Sequence, residues 1–243
     1  MRLLFVLLLC VSLPAVAQGD PRVAFLTKQL EKGKDPRARS NAALVLGATE
    51  EPEAVTPLCT ALADTSEVVR AAAAKGLAKL MELPGLECLK KHKETDATTQ
   101  KAITEAIQEL EAFKSRAPRI YVAFLGLKDK TGSVPAELVK ATEERLKRRL
   151  LHAGALLAPQ KEAKKAAEGV LKKHRISGYR LSAEIHSTEG GGLRIAVVCL
   201  SYPGLALLGQ AEVQASGAEP AVLLKALAPK VIEEVAATLE WST

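Results

Sequence analysis

The chain has 243 residues, 48% apolar, 26% charged and only 3% aromatic, with a formal charge of +6. The apolar share allows a packed core, the length fits one or two domains, and the scarcity of aromatics beside much alanine and leucine argues against a β-sandwich. After residue 17 no stretch is long and apolar enough for a membrane helix.

Met1-Arg2 gives a positive start, Leu3 to Leu13 is almost unbroken apolar sequence, and Pro14 precedes the small-residue triplet Ala15-Val16-Ala17. A charged start, a short apolar core and an A-x-A site predict a signal peptide over residues 1–17. The apolar stretch falls short of the ~20 residues that span a bilayer, so a retained anchor fits less well. Leu7-Leu8-Leu9 before Cys10 lacks the small residue that a lipidation site needs. Cleavage after Ala17 and a periplasmic or secreted product are expected. Loss of Arg2 takes the 34 basic residues to 33 against 28 acidic ones, a formal +5. Three cysteines would remain, Cys59, Cys88 and Cys199. In an oxidising compartment that odd count predicts at most one bridge and one thiol that is buried or otherwise engaged.

Residues 20–113 repeat themselves. Arg39 is followed at +3, +4, +7 and +8 by Ala42, Ala43, Leu46 and Gly47, and Arg70 at the same offsets by Ala73, Ala74, Leu77 and Ala78. Thr99 is followed likewise by Ala102, Ile103, Ala106 and Ile107. Those offsets define one face of a helix. A further helix precedes each: Val23 to Lys32, Glu53 to Ala63 and Pro84 to Lys93. Breakers fall between them at Asp35-Pro36, Glu51-Pro52, Asp64-Thr65-Ser66 and Leu83-Pro84-Gly85. The unit is helix, turn, helix, three times over.

"DPRARSNAALVLG" and "DTSEVVRAAAAKGLAKL" resemble HEAT repeats of the short type, similar to those of phycobilisome lyases; the third copy departs from the pattern, with Thr99 where the arginine belongs. The resemblance implies an all-α solenoid of about three helix pairs and a protein-binding surface. Arg39 and Arg70 read as structural ties of the turn between repeats, with acidic residues such as Asp35 and Asp64 as partners. Cys59 and Cys88 are one repeat apart and so hold equivalent positions on adjacent first helices. Helix axes ~8–10 Å apart allow a disulfide that staples repeats two and three. Two buried, unbonded side chains are the alternative.

Residues 114–119 form a charged linker with a proline, and beyond it the period changes. Ile120 to Leu127 is apolar on both faces, as in a covered central strand. A turn at Asp129 to Gly132 leads to a helix that runs to His152, and a second helix runs from about Gln160 to His174. Three alternating runs follow around Tyr179 to His186, Leu193 to Ser201 and Leu205 to Gln214, joined by Gly190-Gly191-Gly192 and Tyr202-Pro203-Gly204, which predicts an antiparallel meander. A last helix from about Pro220 to Glu240 is expected to kink or restart at Pro229. Residues 120–243 thus read as a small α/β (α+β) domain with a mixed sheet.

The order β-α-α-β-β-β-α, with "RIYVAFLGLKDKTG" at its start and "GGGLRIAVVCLSYPGLALLGQAEV" in its meander, resembles the CsgG/TolB type of envelope domain. That family includes the amino-terminal domain of the Tol–Pal propeller protein, the curli secretion channel lipoprotein and the lipoprotein activators of penicillin-binding proteins. The resemblance implies docking onto envelope machinery without catalysis. The lipidated cysteine of the lipoprotein members has no counterpart here.

From Lys128 to Arg175 there are 13 basic and 6 acidic residues, a local +7. Lys147, Arg148 and Arg149, Lys164 and Lys165, and Lys172, Lys173 and Arg175 concentrate it. One reading is a solvated helix face, with Glu143 and Glu144 paired one turn on to Lys147 and Arg148. The other is a patch for an anionic partner. Nucleic acid is not expected, because export removes the target and no aromatics interleave the lysines. The four histidines, His92, His152, His174 and His186, are scattered, and no H-E-x-x-H, C-x-x-C, phosphate loop or G-x-S-x-G elbow occurs. No enzyme, metal or cofactor is expected. The sequence therefore points to an exported adaptor that scaffolds envelope proteins. The alternative is a non-catalytic regulator of a cell-wall enzyme, acting through the α/β domain alone.

Overall fold

An aspartate followed by a proline opens each of the first two helices. Asp20 and Asp35 accept hydrogen bonds from the amides of Arg22 (2.7 Å) and Arg37 (2.9 Å). Pro21 and Pro36 fill the first helical position, where a missing N–H costs nothing. The computed structural model describes residues 20–241; the signal peptide expected over residues 1–17, with Cys10, lies outside them. The chain divides into two compact units between Ser115 and Arg116.

The first unit holds α1 (Pro21–Lys32), α2 (Pro36–Gly47), a 3-10 turn (Pro52–Ala54) running into α3 (Val55–Ala61), α4 (Glu67–Leu80), α5 (Pro84–Lys91) and α6 (Ala97–Ser115). The +3, +4 and +7 positions of α2, α4 and α6 are all buried: Ala42, Ala43 and Leu46; Ala73, Ala74 and Leu77; Ala102, Ile103 and Ala106. The first helices add Leu26, Leu30, Leu58, Leu86 and Leu89 to the same core. Each buried leucine contributes about 1.5–3 kcal/mol. Small residues decide the spacing. A Cβ on Gly47 would meet the Gly76 Cα at 2.4 Å, so α2 and α4 touch backbone to backbone, an approach only glycine permits.

The second unit runs β1 (Ile120–Asp129), α7 (Ala136–His152), β2 (Ala155–Leu157), α8 (Lys164–His174), β3 (Ser177–Ser187), β4 (Leu193–Ser201), β5 (Leu207–Ala215) and α9 (Pro220–Thr238). Its sheet has the order β2-β1-β3-β4-β5. β1 is parallel to β2 and β3, whereas β3, β4 and β5 are antiparallel, so the sheet is mixed. One face packs Ile120, Val122, Leu181, Ile185, Ile195 and Val197 against Leu146 and Leu150 of α7 and the buried stripe of α9. On the opposite face Tyr121 and Ala123 are buried, and Leu171 of α8 approaches Gly178. The rest of that face, from Arg180 and Ser182 to Ala196 and Val198, is half-exposed.

Four features differ from the sequence reading. The strand β2 was not expected: three residues carry no readable alternation, and they form a strand because β1 offers them a parallel edge. Helix α8 starts at Lys164 rather than near Gln160, since Pro159 and the bonds of Glu162 hold residues 158–163 as a loop. Helix α9 is one helix through Pro229. Leu224, Leu227 and Ala228 before the proline and Val231, Ile232 and Val235 after it are all buried, and that burial outweighs the ~3 kcal/mol of an interior proline. Finally, α6 extends to Ser115, inside the segment read as linker; Arg116 then binds the carbonyls of Leu151 and His152.

Candidate functional site

In the first unit the repeat arginines reach across the turns. Arg39 donates to the carbonyl of Gly33 (2.9 Å) in the preceding turn and, through Nε and Nη2, to both oxygens of Asp64 (2.8 Å each) in the following one. Arg70 repeats the arrangement on the carbonyl of Asp64 (2.9 Å) and on both oxygens of Glu94 (2.7 and 3.0 Å). The acceptors finish the ladder. Asp64 takes the amide of Ser66, and Glu94 takes those of Thr95 and Asp96. Asp35 makes no side-chain bond to Arg39 but caps its own helix. The guanidinium of Arg70 and the two backbone amides hold the Glu94 carboxyl far below the ordinary carboxylate range, although its burial opposes this. At the third position Thr99 bonds the carbonyl of Glu67 (3.2 Å) and the carboxylate of Asp96 (2.9 Å). Cys59 and Cys88 are bonded to each other, with their Cα atoms 5.8 Å apart. Cys199 is a free thiol buried in β4, pushed up to about 11 by desolvation.

The second helices present a further surface. Offsets −2 and +5 from the repeat position lie two turns apart, opposite the core face. They carry Arg37 and Leu44 on α2, Val68 and Lys75 on α4, and Ala97 and Thr104 on α6, all exposed. Leu44 and Val68 are 44% and 53% exposed. Because α2 packs on α4 and α4 on α6, these residues form one mixed apolar and basic ridge. The repeat alignment could have found it, since the ridge has the same period as the core.

The basic residues of the second unit do not form one patch. Lys147, Arg148 and Arg149 lie on α7, which covers one face of the sheet; Lys164, Lys165, Lys172 and Lys173 lie on α8 and Arg175 at its end, on the other. Lys147 pairs with Glu143 (2.7 Å) and Glu144 (2.9 Å), and Lys164 approaches Glu168 at 4.0 Å. Lys165, Lys172, Lys173 and Arg175 are exposed.

A cleft that no motif announced lies on the α8 side of the sheet. The β1–β3 register sets Tyr121 beside Gly178 and Ala123 beside Arg180. Tyr121 and Tyr202 both donate to the Glu162 carboxylate, at 2.8 and 3.0 Å, with their rings 6.0 Å apart. Gly178 makes room for this, since a Cβ there would meet the Tyr202 carbonyl at 2.3 Å. Burial and the Glu162 carboxylate raise the pKa of both phenols, so they remain donors. Next to this cluster a cavity of about 160 Å³ opens between Ala123 to Leu125, the loop 158–162 and Arg180. Among the described residues no group of three or more His, Cys, Asp or Glu is placed to hold a metal ion, and no helix is long and apolar enough to cross a membrane.

The family model for HEAT repeats matches residues 23–108. No curated protein matches the chain. Among solved structures, a dodecameric methionine variant of PelC from Paraburkholderia phytofirmans is 14% identical, covering 50% of this chain and 90% of its own, with a TM-score of 0.33. A second PelC dodecamer from that organism is 11% identical, covering 49% and 89%, with a TM-score of 0.31.

Proposed function

We propose that this protein is an exported, non-catalytic adaptor of a bacterial cell envelope, in which the HEAT repeats hold one protein partner and the α/β unit another. The observation that carries the proposal is the exposed ridge of Arg37, Leu44, Val68, Lys75, Ala97 and Thr104. Three stacked second helices bury one face on each other and leave the opposite face, apolar and basic by turns, to solvent. Exposed apolar side chains beside cations are what a partner with an acidic rim would cover. The Cys59–Cys88 bond supports export, because such staples persist in oxidising compartments. The order of β1, β3, β4 and β5 supports a CsgG/TolB-type envelope domain as part of this reading.

The reading has two tests. A mature protein isolated from cells is expected to begin at Gln18; an intact Met1 would remove export from the account. Cells that produce the protein without residues 20–113 should lose its role. If that deletion leaves the role intact, the α/β unit acts alone, as a regulator of an envelope enzyme would.

A further inference from the structure

Strand β2 covers β1 only over Ile120 to Val122. The Val122 carbonyl accepts the amide of Ala158 at 2.9 Å, and Pro159 follows, with no N–H to extend the ladder. β1 itself continues to Asp129. On the side where β2 has ended, the backbone from Ala123 to Leu125 is therefore a strand edge without a partner strand among the described residues. That edge forms one wall of the cleft beside Arg180.

Arg180 is half-buried, and no carboxylate lies within ion-pair reach of it among the described residues. Glu162, the acid of the cleft, has its two oxygens engaged by Tyr121 and Tyr202. Lys161 lines the cleft as a second cation. A half-buried guanidinium gains most from a carboxylate that can take two parallel hydrogen bonds. The small side chain of Ala123 leaves the space for it, and Leu125, 49% exposed, offers an apolar shelf beside the edge.

The geometry points to this cleft as a receptor for the carboxyl-terminal end of an extended peptide from a partner protein. The peptide backbone pairs with the edge of β1 at Ala123 to Leu125, and its terminal carboxylate takes the Arg180 guanidinium, with Lys161 alongside. A chain end is required because a strand laid on that edge meets the end of β2 at Ala158 and Pro159. The two cations choose the carboxyl end over the amino end. This goes beyond the adaptor reading and does not depend on it: it would hold even if the solenoid bound nothing.

The test is a titration of the ¹⁵N-labelled mature chain with acetyl-Ala-Val-Leu, with the same peptide as its terminal amide, and with acetate. Saturable shifts of the Ala123, Phe124 and Leu125 amides are expected with the acid. The amide peptide should bind at least about tenfold more weakly, and the acid should lose about as much in R180M. A123L, which fills the cleft, should abolish the shifts. If R180M does not fold, the comparison of acid with amide on the unaltered chain decides. Equal binding of acid and amide, undiminished binding in folded R180M, or no saturable shift up to about 10 mM would overturn the inference. So would acetate that saturates the same amides as tightly as the peptide, because the site would then be one for free small acids.

Discussion

At the scale of single residues the arginine ladder carries the sharpest consequences. Arg70 is the only cation bonded to the Glu94 side chain through two hydrogen bonds among the described residues, and that carboxylate is 3% exposed. R70M strands a buried charge, so it should lower the thermal midpoint by about 5 °C or more, whereas an exposed site such as K101M should not move it. The pH dependence has a definite sign. In the unfolded chain Glu94 titrates near the ordinary 4.5, and in the folded chain well below it. Its stabilisation is thus complete above that value and is lost as the pH falls through it towards the folded value. Urea midpoints of the wild type should drop on acidification below about pH 4.5, and those of R70M should drop less. Equal slopes would show that the pair does not carry this linkage. The arginines were legible as structural from their repeat spacing. Asp64 was legible as an acidic partner, but its pairing with Arg39 of the preceding repeat was not, nor was Glu94, because each acceptor lies in the following turn, about one repeat away in sequence, where no local pattern points.

At the scale of elements, the helices were readable wherever apolar spacing and breakers agreed, as at Asp35-Pro36 and Glu51-Pro52 around α2. Features set by long-range contact were not readable. β2 exists only because β1 accepts it, and α9 does not restart at Pro229 because both sides of the proline are buried against the sheet. The cleft residues Tyr121, Glu162, Arg180 and Tyr202 belong to four separate segments that only the fold assembles. Contact between α2 and α4 makes Gly47 a strict position. G47A should cost about 1–3 kcal/mol, since a Cβ at 2.4 Å from the Gly76 Cα forces the helices apart; a chemical-denaturation curve unchanged from wild type would refute that close approach. The Cys59–Cys88 bond closes a loop with a sequence separation of 29. Replacing both cysteines by alanine should therefore destabilise the first unit by about 3–4 kcal/mol. Urea unfolding followed by amide exchange on α3 and α5 measures it, and a loss confined to the second unit would contradict this.

At the scale of the molecule, composition already separated a helical half from a mixed half, because the apolar period changes from that of helices to that of strands after residue 119. The basic residues that one of the two sequence readings gathered into a patch are divided by the sheet, since linear clustering of lysines says nothing of which face each helix covers. The repeats hold one another by mutual burial, by the arginine ladder and by the Cys59–Cys88 bond, and the second helices leave the ridge on α2, α4 and α6 exposed. A photo-crosslinking side chain placed in turn at Leu44, at Val68 and, away from the ridge, at Phe25 on α1 probes that surface in intact cells. The account predicts one and the same protein adduct from Leu44 and Val68 and none of it from Phe25. Adducts that are absent from the ridge, or identical at all three positions, would contradict it.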